Sequence, residues 1–283
     1  MRRLRVAWLP DGKRLHLRNG PVNLIIQAFG RPGDIGRAYE AGIERARGLA
    51  VELGDDVPRL QAGLAPSGAA GLRAVAACHA VPGALAPLTA LKGAMADEVL
   101  AAMAGAGQLE RAFANNHGAV AVHLAEGQSI TPAALDWPGF PRYESKAPII
   151  STARTRGVAA AGWSFDGYAL GCVDQIHVAG VSAAMAEAGL GAIAACMVPE
   201  AGARMVPAEM LAPQSVLGGM EVYPPRKDLT ADEAAEILAR GRAVSEALFA
   251  AGIVTLVLLG VGQDHFLAAP PHFSLRSMLS LEA

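Results

Sequence analysis

The chain has 283 residues, which is enough for one large domain or two modest ones with a substantial core. Its 24 basic and 26 acidic residues give a formal net charge of −2 and form no blocks, which argues against a nucleic-acid-binding or membrane-surface role. Three widely spaced cysteines in apolar segments indicate buried thiols rather than a disulfide framework, so we expect a cytoplasmic protein without a signal peptide or membrane span.

The first thirty residues predict three short strands, over 3–9, 13–18 and 22–28. The segments "PDGK" and "RNGP" separate them, and both contain residues that accept positive φ and favour tight reversals. We therefore expect an antiparallel meander at the start of the chain.

Three helices are predicted next. Apolar residues at three- and four-residue spacing indicate an amphipathic helix over 34–54, which we expect to end at its last glycine. A second helix is predicted over 71–79. A third is expected to begin with Thr89 as its N-cap and to end in the glycine-rich segment 105–107.

The segment "FANNHGAVAVHL" places Asn115, Asn116, His117 and Gly118 together, immediately before an alternating run that predicts a strand. These residues are typical of a turn, but they could also form the edge of a ligand site. His117 and His123 would share one face of a continuous strand and could bind a metal. The sequence locates no third ligand, so a structural or surface role is favoured for this pair.

A proline-rich segment divides the chain. The residues "SITPAALDWPGFPRY" contain three prolines, which are excluded from regular helices and central strands. We predict a single domain over 1–283 with possible halves at 1–128 and 143–268, joined by the segment 129–142.

Six further elements are predicted after this segment. They are strands over 156–161 and 167–179, a helix over 181–197, a strand near 219–223, a helix over 231–251 and a strand over 253–260. The last helix has the clearest local signal, because Thr230 and Glu233 form a T-x-x-E capping box and Gly252 provides a stop. The order of strands and helices predicts an α+β fold with two similar halves.

Few charged or titratable residues lie in apolar surroundings. Asp97 and Glu98 could be acid–base groups, although a solvated helix edge is the favoured interpretation. Asp174, within "GCVDQIHV", is costly to bury without a partner, so it needs a protein or ligand partner unless it lies at an exposed strand end. His177 in the same segment is interpreted as a hydrogen-bonded core histidine.

Six segments of the chain stand out together: "NGPVNLIIQAFG", "ALKGAMADEVLAAM", "FANNHGAVAVHL", "RGVAAAGW", "ALGCVDQIHVAG" and "GLGAIAAC". Their order and spacing resemble a bacterial and archaeal family that is grouped by fold with the ApbE-like FAD:protein FMN transferases. The resemblance spans about residues 13–262. It implies an α+β ApbE-like architecture in which two halves of antiparallel strands pack with helices. It also implies a flavin dinucleotide between the halves and a magnesium ion that assists the transfer of FMN to a protein threonine.

The residues that would perform this transfer are altered. The family pattern "NNGGDI" corresponds to 115–120, where His117 replaces a glycine and Ala119 replaces the carboxylate. The pattern "ATSGW" corresponds to a segment in which Ala160 and Ala161 replace the threonine and serine. The resemblance therefore implies a ligand cleft of the family's shape with changed or absent chemistry.

The implied metal site is also altered. The family helix has an aspartate and, four residues later, a threonine, and these positions correspond to Glu187 and Gly191. Glu187 could still bind a metal, but the second oxygen is missing. Asp174 retains the aspartate of the family's "ADAV", and Gly162 retains the glycine of "ATSGW".

We therefore expect a protein that binds a nucleotide-like or heterocyclic cofactor of flavin or pterin type, with FAD or FMN as candidates, and that lacks FMN transferase activity. The predicted ligand residues are Asn115, Asn116, His117, Gly118, Gly162 and Asp174, and Glu187 is the candidate ligand for Mg²⁺. His117 and Asp174 are the candidate catalytic groups. Two alternatives remain: a non-catalytic structural or partner-binding homodimer, and a hydrolase or transferase of cofactor biosynthesis. A homodimer is predicted under either view.

Overall fold

The computed structural model describes residues 3–131, 148–199, 204–213, 215–226 and 229–269. The strands are β1 (Arg5–Trp8), β2 (Leu15–Asn19), β3 (Val22–Gly30), β4 (Leu109–Asn116), β5 (Ala119–Leu124), β6 (Ser129–Ile130), β7 (Ile149–Ile150), β8 (Gly157–Ala161), β9 (Gln175–Gly180), β10 (Val206–Pro207), β11 (Glu221–Val222), β12 (Val254–Val261) and β13 (Asp264–Ala268). The helices are α1 (Pro32–Gln61), α2 (Ala69–Ala80), α3 (Leu91–Gly105), α4 (Trp163–Asp166), α5 (Ala183–Cys196), α6 (Ala208–Leu211) and α7 (Ala231–Ala250), with a 3₁₀ helix over Pro87–Ala90.

Nine strands form one antiparallel sheet in the order β1-β2-β3-β4-β5-β8-β9-β12-β13. Strands β5 and β8, which lie on opposite sides of the proline-rich segment in sequence, are neighbours in this sheet, with Val120 opposite Val158. The predicted α+β fold with antiparallel strands is therefore confirmed, while the division into two halves stays a prediction.

Four long helices cover one face of the sheet. Helices α1 and α3 contact β3, β4 and β5, whereas α5 and α7 contact β8, β9 and β12. Strand residues that point toward these helices, such as Leu24, Ile26 and Val178, form the main core. Strand residues that point the other way, such as Val120 of β5 and Val158 of β8, belong to a second buried cluster on the opposite face. This period-two alternation follows from the pleat of the strands.

Several local predictions are confirmed. Strands β1, β2 and β3 form the expected antiparallel meander. At the start of α7, the amide of Glu233 donates to Thr230 Oγ1 at 3.2 Å, and the amide of Thr230 donates to Glu233 Oε2 at 2.9 Å. This is the reciprocal capping box that the sequence predicts. None of the helices in the described ranges is long and apolar enough to span a membrane.

Helix α1 does not end at Gly54 as predicted but continues to Gln61. Its buried stripe extends past the glycine through Asp56 and Leu60, so tertiary packing outweighs the local stop signal. The carboxylate of Asp56 accepts the amide of Gly68, the N-cap residue of α2, at 2.8 Å. The extra turns of α1 therefore hold the start of the next helix.

Thr89 is not the N-cap of α3, which is Ala90. The 3₁₀ helix that begins at Pro87 brings Thr89 into the turn before α3, where its hydroxyl donates to the carbonyl of Ala86 at 2.9 Å. A proline at the first position favours this earlier start, and the hydroxyl makes a local backbone bond instead of a cap.

The strand predicted over 167–179 is shorter, because only β9 is regular. Gly167 adopts φ 72° and ends α4 in the left-handed conformation. Gly171 packs against α5 so closely that a Cβ there would collide with the carbonyl oxygen of Ala194. This stretch therefore packs against the end of α5.

Only residues 129–131 of the proline-rich segment lie within the described residues.

Candidate functional site

A cavity of about 370 Å³ lies at the end of the sheet where the β2–β3 and β4–β5 hairpins turn. The end of β8, the start of α3, the middle of α5 and the segments 166–170, 212–213 and 215–217 complete its wall. Residues from both sides of the proline-rich segment thus line one cavity. Its volume falls within the range of small-molecule sites, roughly 300–1,000 Å³.

Helices α3 and α5, which meet beside this cavity, cap each other. Asp97 of α3 accepts the amides of Ala183 and Ala184 at 3.0 Å each, at the start of α5. Glu187 of α5 in turn accepts the amide of Gly93 at 2.6 Å, in the first turn of α3. Each carboxylate pairs buried N–H groups and interacts favourably with a helix dipole. The expectation that Asp97 lies on a solvated helix edge is therefore wrong.

The charges beside this contact are coupled. Burial raises the pKa of Glu187 to about 7, although Lys92 and the Gly93 amide oppose the rise. Lys92 Nζ lies 3.8 Å from Glu187 Oε1. Burial lowers the pKa of Lys92, but the nearby Glu187 and Asp166 carboxylates outweigh it and raise the pKa overall. Lys92 is consequently a permanent cation of the cavity wall.

The β4–β5 connection is a two-residue turn of His117 and Gly118, with φ values of 50° and 90°. Two consecutive positive φ values match the right-handed twist of a hairpin and favour Asn-Gly sequences, so a histidine is unusual there. Asn115 Oδ1 accepts the Gly118 amide at 3.0 Å and thereby stabilises the turn. His117 Nε2 lies 3.2 Å from Asp166 Oδ1, which joins this hairpin to α4.

Asn116 is buried at the cavity wall, but other protein groups occupy its amide. Its Nδ2 donates to the carbonyl of Lys92 at 3.3 Å, and its Oδ1 accepts the amide of Asn23 at 3.3 Å. It therefore ties β3 and β4 to the start of α3 and positions Lys92.

The remaining predicted residues do not line the cavity. Asp174 Oδ2 accepts the amide of Gly262 at 2.7 Å in the β12–β13 turn, so its partner is a protein group. Gly162 adopts φ 124°, and Gly118 is so close to β8 that a Cβ there would lie 2.7 Å from the Ala160 carbonyl oxygen. Both glycines allow close backbone contacts rather than ligand contacts. His177 is fully buried in β9 and packs edge-on against Phe165, as expected for a core histidine.

Of the predicted site residues, Asn116, His117 and Glu187 therefore line the cavity, and Asn115, Gly118, Gly162 and Asp174 do not. Three charged residues of the wall, Arg18, Lys92 and Asp166, were missed. Lys92 is a lone cation in an apolar helix, which is a usable signal, whereas nothing in the sequence around Asp166 distinguishes it.

Positions at which this chain differs from the family pattern make parts of the cavity wall apolar. Ala160 and Ala161 line the cavity with methyl groups, where the resemblance implied two hydroxyls. A Cβ at Gly191 would lie 3.4 Å from Thr89 Oγ1, so a neighbouring hydroxyl faces this position. That hydroxyl already donates to the Ala86 carbonyl.

These donors do not fit a magnesium ion. Mg²⁺ prefers octahedral oxygen coordination at 2.0–2.1 Å and is usually held by one or two carboxylates. Here Glu187 binds a backbone amide and faces Lys92, and Gly191 offers no side-chain oxygen. Within the described ranges, no three His, Cys, Asp or Glu residues are grouped as metal ligands.

The family model described as "AbpE bacteria" matches residues 6–267. A search of curated proteins gives no match. Two solved structures are similar over 95% of this chain. The apo form of the flavinyl transferase ApbE from Pseudomonas stutzeri has 10% identity and a TM-score of 0.45, with 95% of its own chain covered. A mutant of the flavin transferase ApbE from Vibrio cholerae has 11% identity and a TM-score of 0.36, with 97% covered.

Proposed function

The chain belongs to the family described as AbpE bacteria, and we propose that it binds a flavin-type ligand in the cavity beside the β4–β5 hairpin without transferring FMN. The observation that carries this proposal is the cavity itself, about 370 Å³ in volume and lined from both sides of the proline-rich segment. The flavin follows from the resemblance to ApbE-like FAD:protein FMN transferases, and a pterin is the next candidate.

The cavity wall has the mixed character that a heterocyclic ligand with a polar tail needs. Ala160, Ala161 and Leu190 offer apolar surface, and Tyr168 adds an aromatic ring. Lys92 and His117 add polar groups in the same wall. A flat ring would be buried against the apolar surface while the polar groups orient it, which is the usual division in small-molecule sites.

The proposed absence of transfer is supported by the same wall. The positions of the family's threonine and serine are Ala160 and Ala161 in this wall, and Ala119, outside the wall, stands at the position of its carboxylate. None of these methyl groups can bind a metal or move a proton. Several oxygen donors are thus missing from positions that the resemblance assigns to the reaction.

Binding is tested by titrating the protein with riboflavin, FMN, FAD and a reduced pterin while flavin or protein fluorescence is recorded. Ala161→Phe should fill the cavity and lower the affinity at least about tenfold, which corresponds to about 1.4 kcal/mol. Ala239→Phe is the matched control, because Ala239 is exposed on α7. If no compound binds, or if Ala161→Phe binds as well as the wild type, the proposed site is wrong.

Transfer is tested separately. The protein is incubated with FAD, Mg²⁺ and a second protein that carries an acceptor threonine, and the nucleotides are separated by chromatography. Transfer of FMN from FAD releases AMP, so we expect FAD to remain intact. Steady release of AMP that depends on protein concentration would contradict the absence of transferase activity.

A further inference from the structure

We propose that the cavity binds its ligand without a divalent cation and that Lys92 provides the positive charge facing an anionic group of that ligand, such as a phosphate. The proposal rests on the proposed function for the ligand, but its statement about metal concerns this chain's own residues. It departs from the resemblance, which implies a magnesium ion at the position of Glu187.

The first argument is that Glu187 already has a structural role. Its Oε2 accepts the amide of Gly93 at 2.6 Å, which is a short charge-assisted hydrogen bond at the start of α3. Binding a metal through this oxygen would remove the partner of a buried N–H group. Its Oε1 faces the ammonium of Lys92, which already balances the charge of the carboxylate.

The second argument is that further oxygen ligands are lacking around Glu187. One helical turn later, the residue is Gly191, which has no side chain. The nearest hydroxyl to that position belongs to Thr89, which donates to the Ala86 carbonyl at 2.9 Å. Asp166, another carboxylate of the wall, contacts His117. A hard divalent cation would therefore find two carboxylates that already have protein partners instead of the several free oxygens that it prefers.

The third argument concerns the ammonium of Lys92. Its side chain is 28% exposed, and its Nζ lies 3.5 Å from the His117 carbonyl and 3.8 Å from Glu187 Oε1. Both distances exceed the usual 2.7–3.2 Å of an N–H···O hydrogen bond. An ammonium has three donors, so it can form a shorter bond with an anionic oxygen in the cavity. Arg18 of β2 contributes a second cation to the same wall.

The metal statement is tested with the metal alone. Mg²⁺ is titrated into EDTA-treated, desalted protein by calorimetry, and Mn²⁺ binding is followed by electron paramagnetic resonance. Wild type and Glu187→Gln should both show no site with a dissociation constant below about 1 mM. A site in the wild type that Glu187→Gln removes, while Glu236→Gln on the surface of α7 keeps it, would overturn the proposal.

The charge statement is tested with FMN and riboflavin, which differ by one phosphate. In EDTA, the wild type should bind FMN at least about tenfold more tightly than riboflavin, and 5 mM Mg²⁺ should change neither affinity by more than about twofold. Lys92→Gln should remove this preference and Lys92→Arg should retain it. Lys13→Gln is the control, because Lys13 lies in the exposed β1–β2 turn outside the cavity.

The outcomes separate the two proposals. Tighter FMN binding only with Mg²⁺, or a preference for FMN that survives Lys92→Gln, overturns this inference while leaving ligand binding in place. If neither flavin binds, the proposed function fails and the charge statement fails with it, but the metal titration still decides the metal statement. If Lys92→Gln does not fold, the double variant Lys92→Gln/Glu187→Gln removes both charges together and should lose the preference for FMN.

Discussion

Neutralising Glu187 tests the electrostatics of the α3–α5 contact. Burial raises the pKa of this carboxyl from 4.5 to about 7, against the opposing effects of Lys92 and the Gly93 amide, and Asp166 and Asp97 add to the rise. A carboxyl with a raised pKa binds its proton more tightly in the folded state than in the unfolded state. The contribution of Glu187 to the free energy of unfolding is therefore highest below pH 4.5, falls as the pH rises to about 7, and levels off above that value.

The size of this decrease follows from the shift. A rise from 4.5 to about 7 corresponds to about 3 kcal/mol, since one pKa unit equals about 1.4 kcal/mol. Glu187→Gln removes the titration but keeps an oxygen that can accept the Gly93 amide. Between pH 5 and pH 8, we expect the wild type to lose about 2 to 3 kcal/mol more than this variant.

Urea unfolding at a series of pH values measures both free energies, with circular dichroism as the signal. Asp97 also has a pKa raised by burial. Because its carboxyl is present in both proteins, only its coupling to Glu187 remains in the difference. Parallel curves for the wild type and Glu187→Gln from pH 5 to pH 8 would refute the assignment of Glu187 as a buried titrating cap.

Four further substitutions test the helix caps and the packing. Asp97→Ala leaves two buried N–H groups at the start of α5 unpaired, and we expect urea unfolding to show a loss of about 2 to 4 kcal/mol. Thr230→Ala breaks the α7 capping box and should cost about 1 kcal/mol in the same assay. Gly54→Ala places a methyl group in open space inside α1 and should raise the free energy of unfolding by about 0.5 to 1 kcal/mol. Gly157→Ala, in contrast, would collide with the backbone of Ser182 and should reduce soluble expression.

Asp97→Ala has a matched comparison on α7. Asp232→Ala, in the first turn of α7, changes an exposed carboxylate and should cost less than Asp97→Ala. An equal cost would contradict the reciprocal capping of α3 and α5. A loss of stability in Gly54→Ala would show that α1 ends in solution where the sequence predicted.

The parts of the fold that depend on residues close together in the sequence were predictable. The β1–β3 meander follows from two turn sequences, and the α7 capping box from Thr230 and Glu233. The end of α1 was not predictable, because Asp56 is retained in the helix by its bond to Gly68 of the next helix. The prediction of a regular strand over 167–174 was wrong for a similar reason, because Gly171 packs against a helix that follows it in sequence.

The site was only partly predictable, because its residues meet through tertiary structure. Turn-forming residues marked the β4–β5 hairpin, and its His117 does line the cavity. The sequence could not indicate that Asp174 pairs with a turn 88 residues away or that Asp97 caps another helix. The homodimer also stays a prediction. Light scattering would test it by measuring the molar mass of the protein in solution.

His117 connects backbone strain to the cavity. It is the one residue other than glycine with a positive φ among those the structure describes, and such a conformation has an energetic cost, although histidine tolerates it better than most residues. The Asn115–Gly118 bond stabilises the turn, while the imidazole, which is 59% exposed, contacts the buried carboxylate of Asp166. Because this side chain is so exposed, it lies at the edge of the cavity and does not fill the cavity volume. The strained turn therefore adds a polar group to the cavity wall at a position where a glycine would leave only backbone.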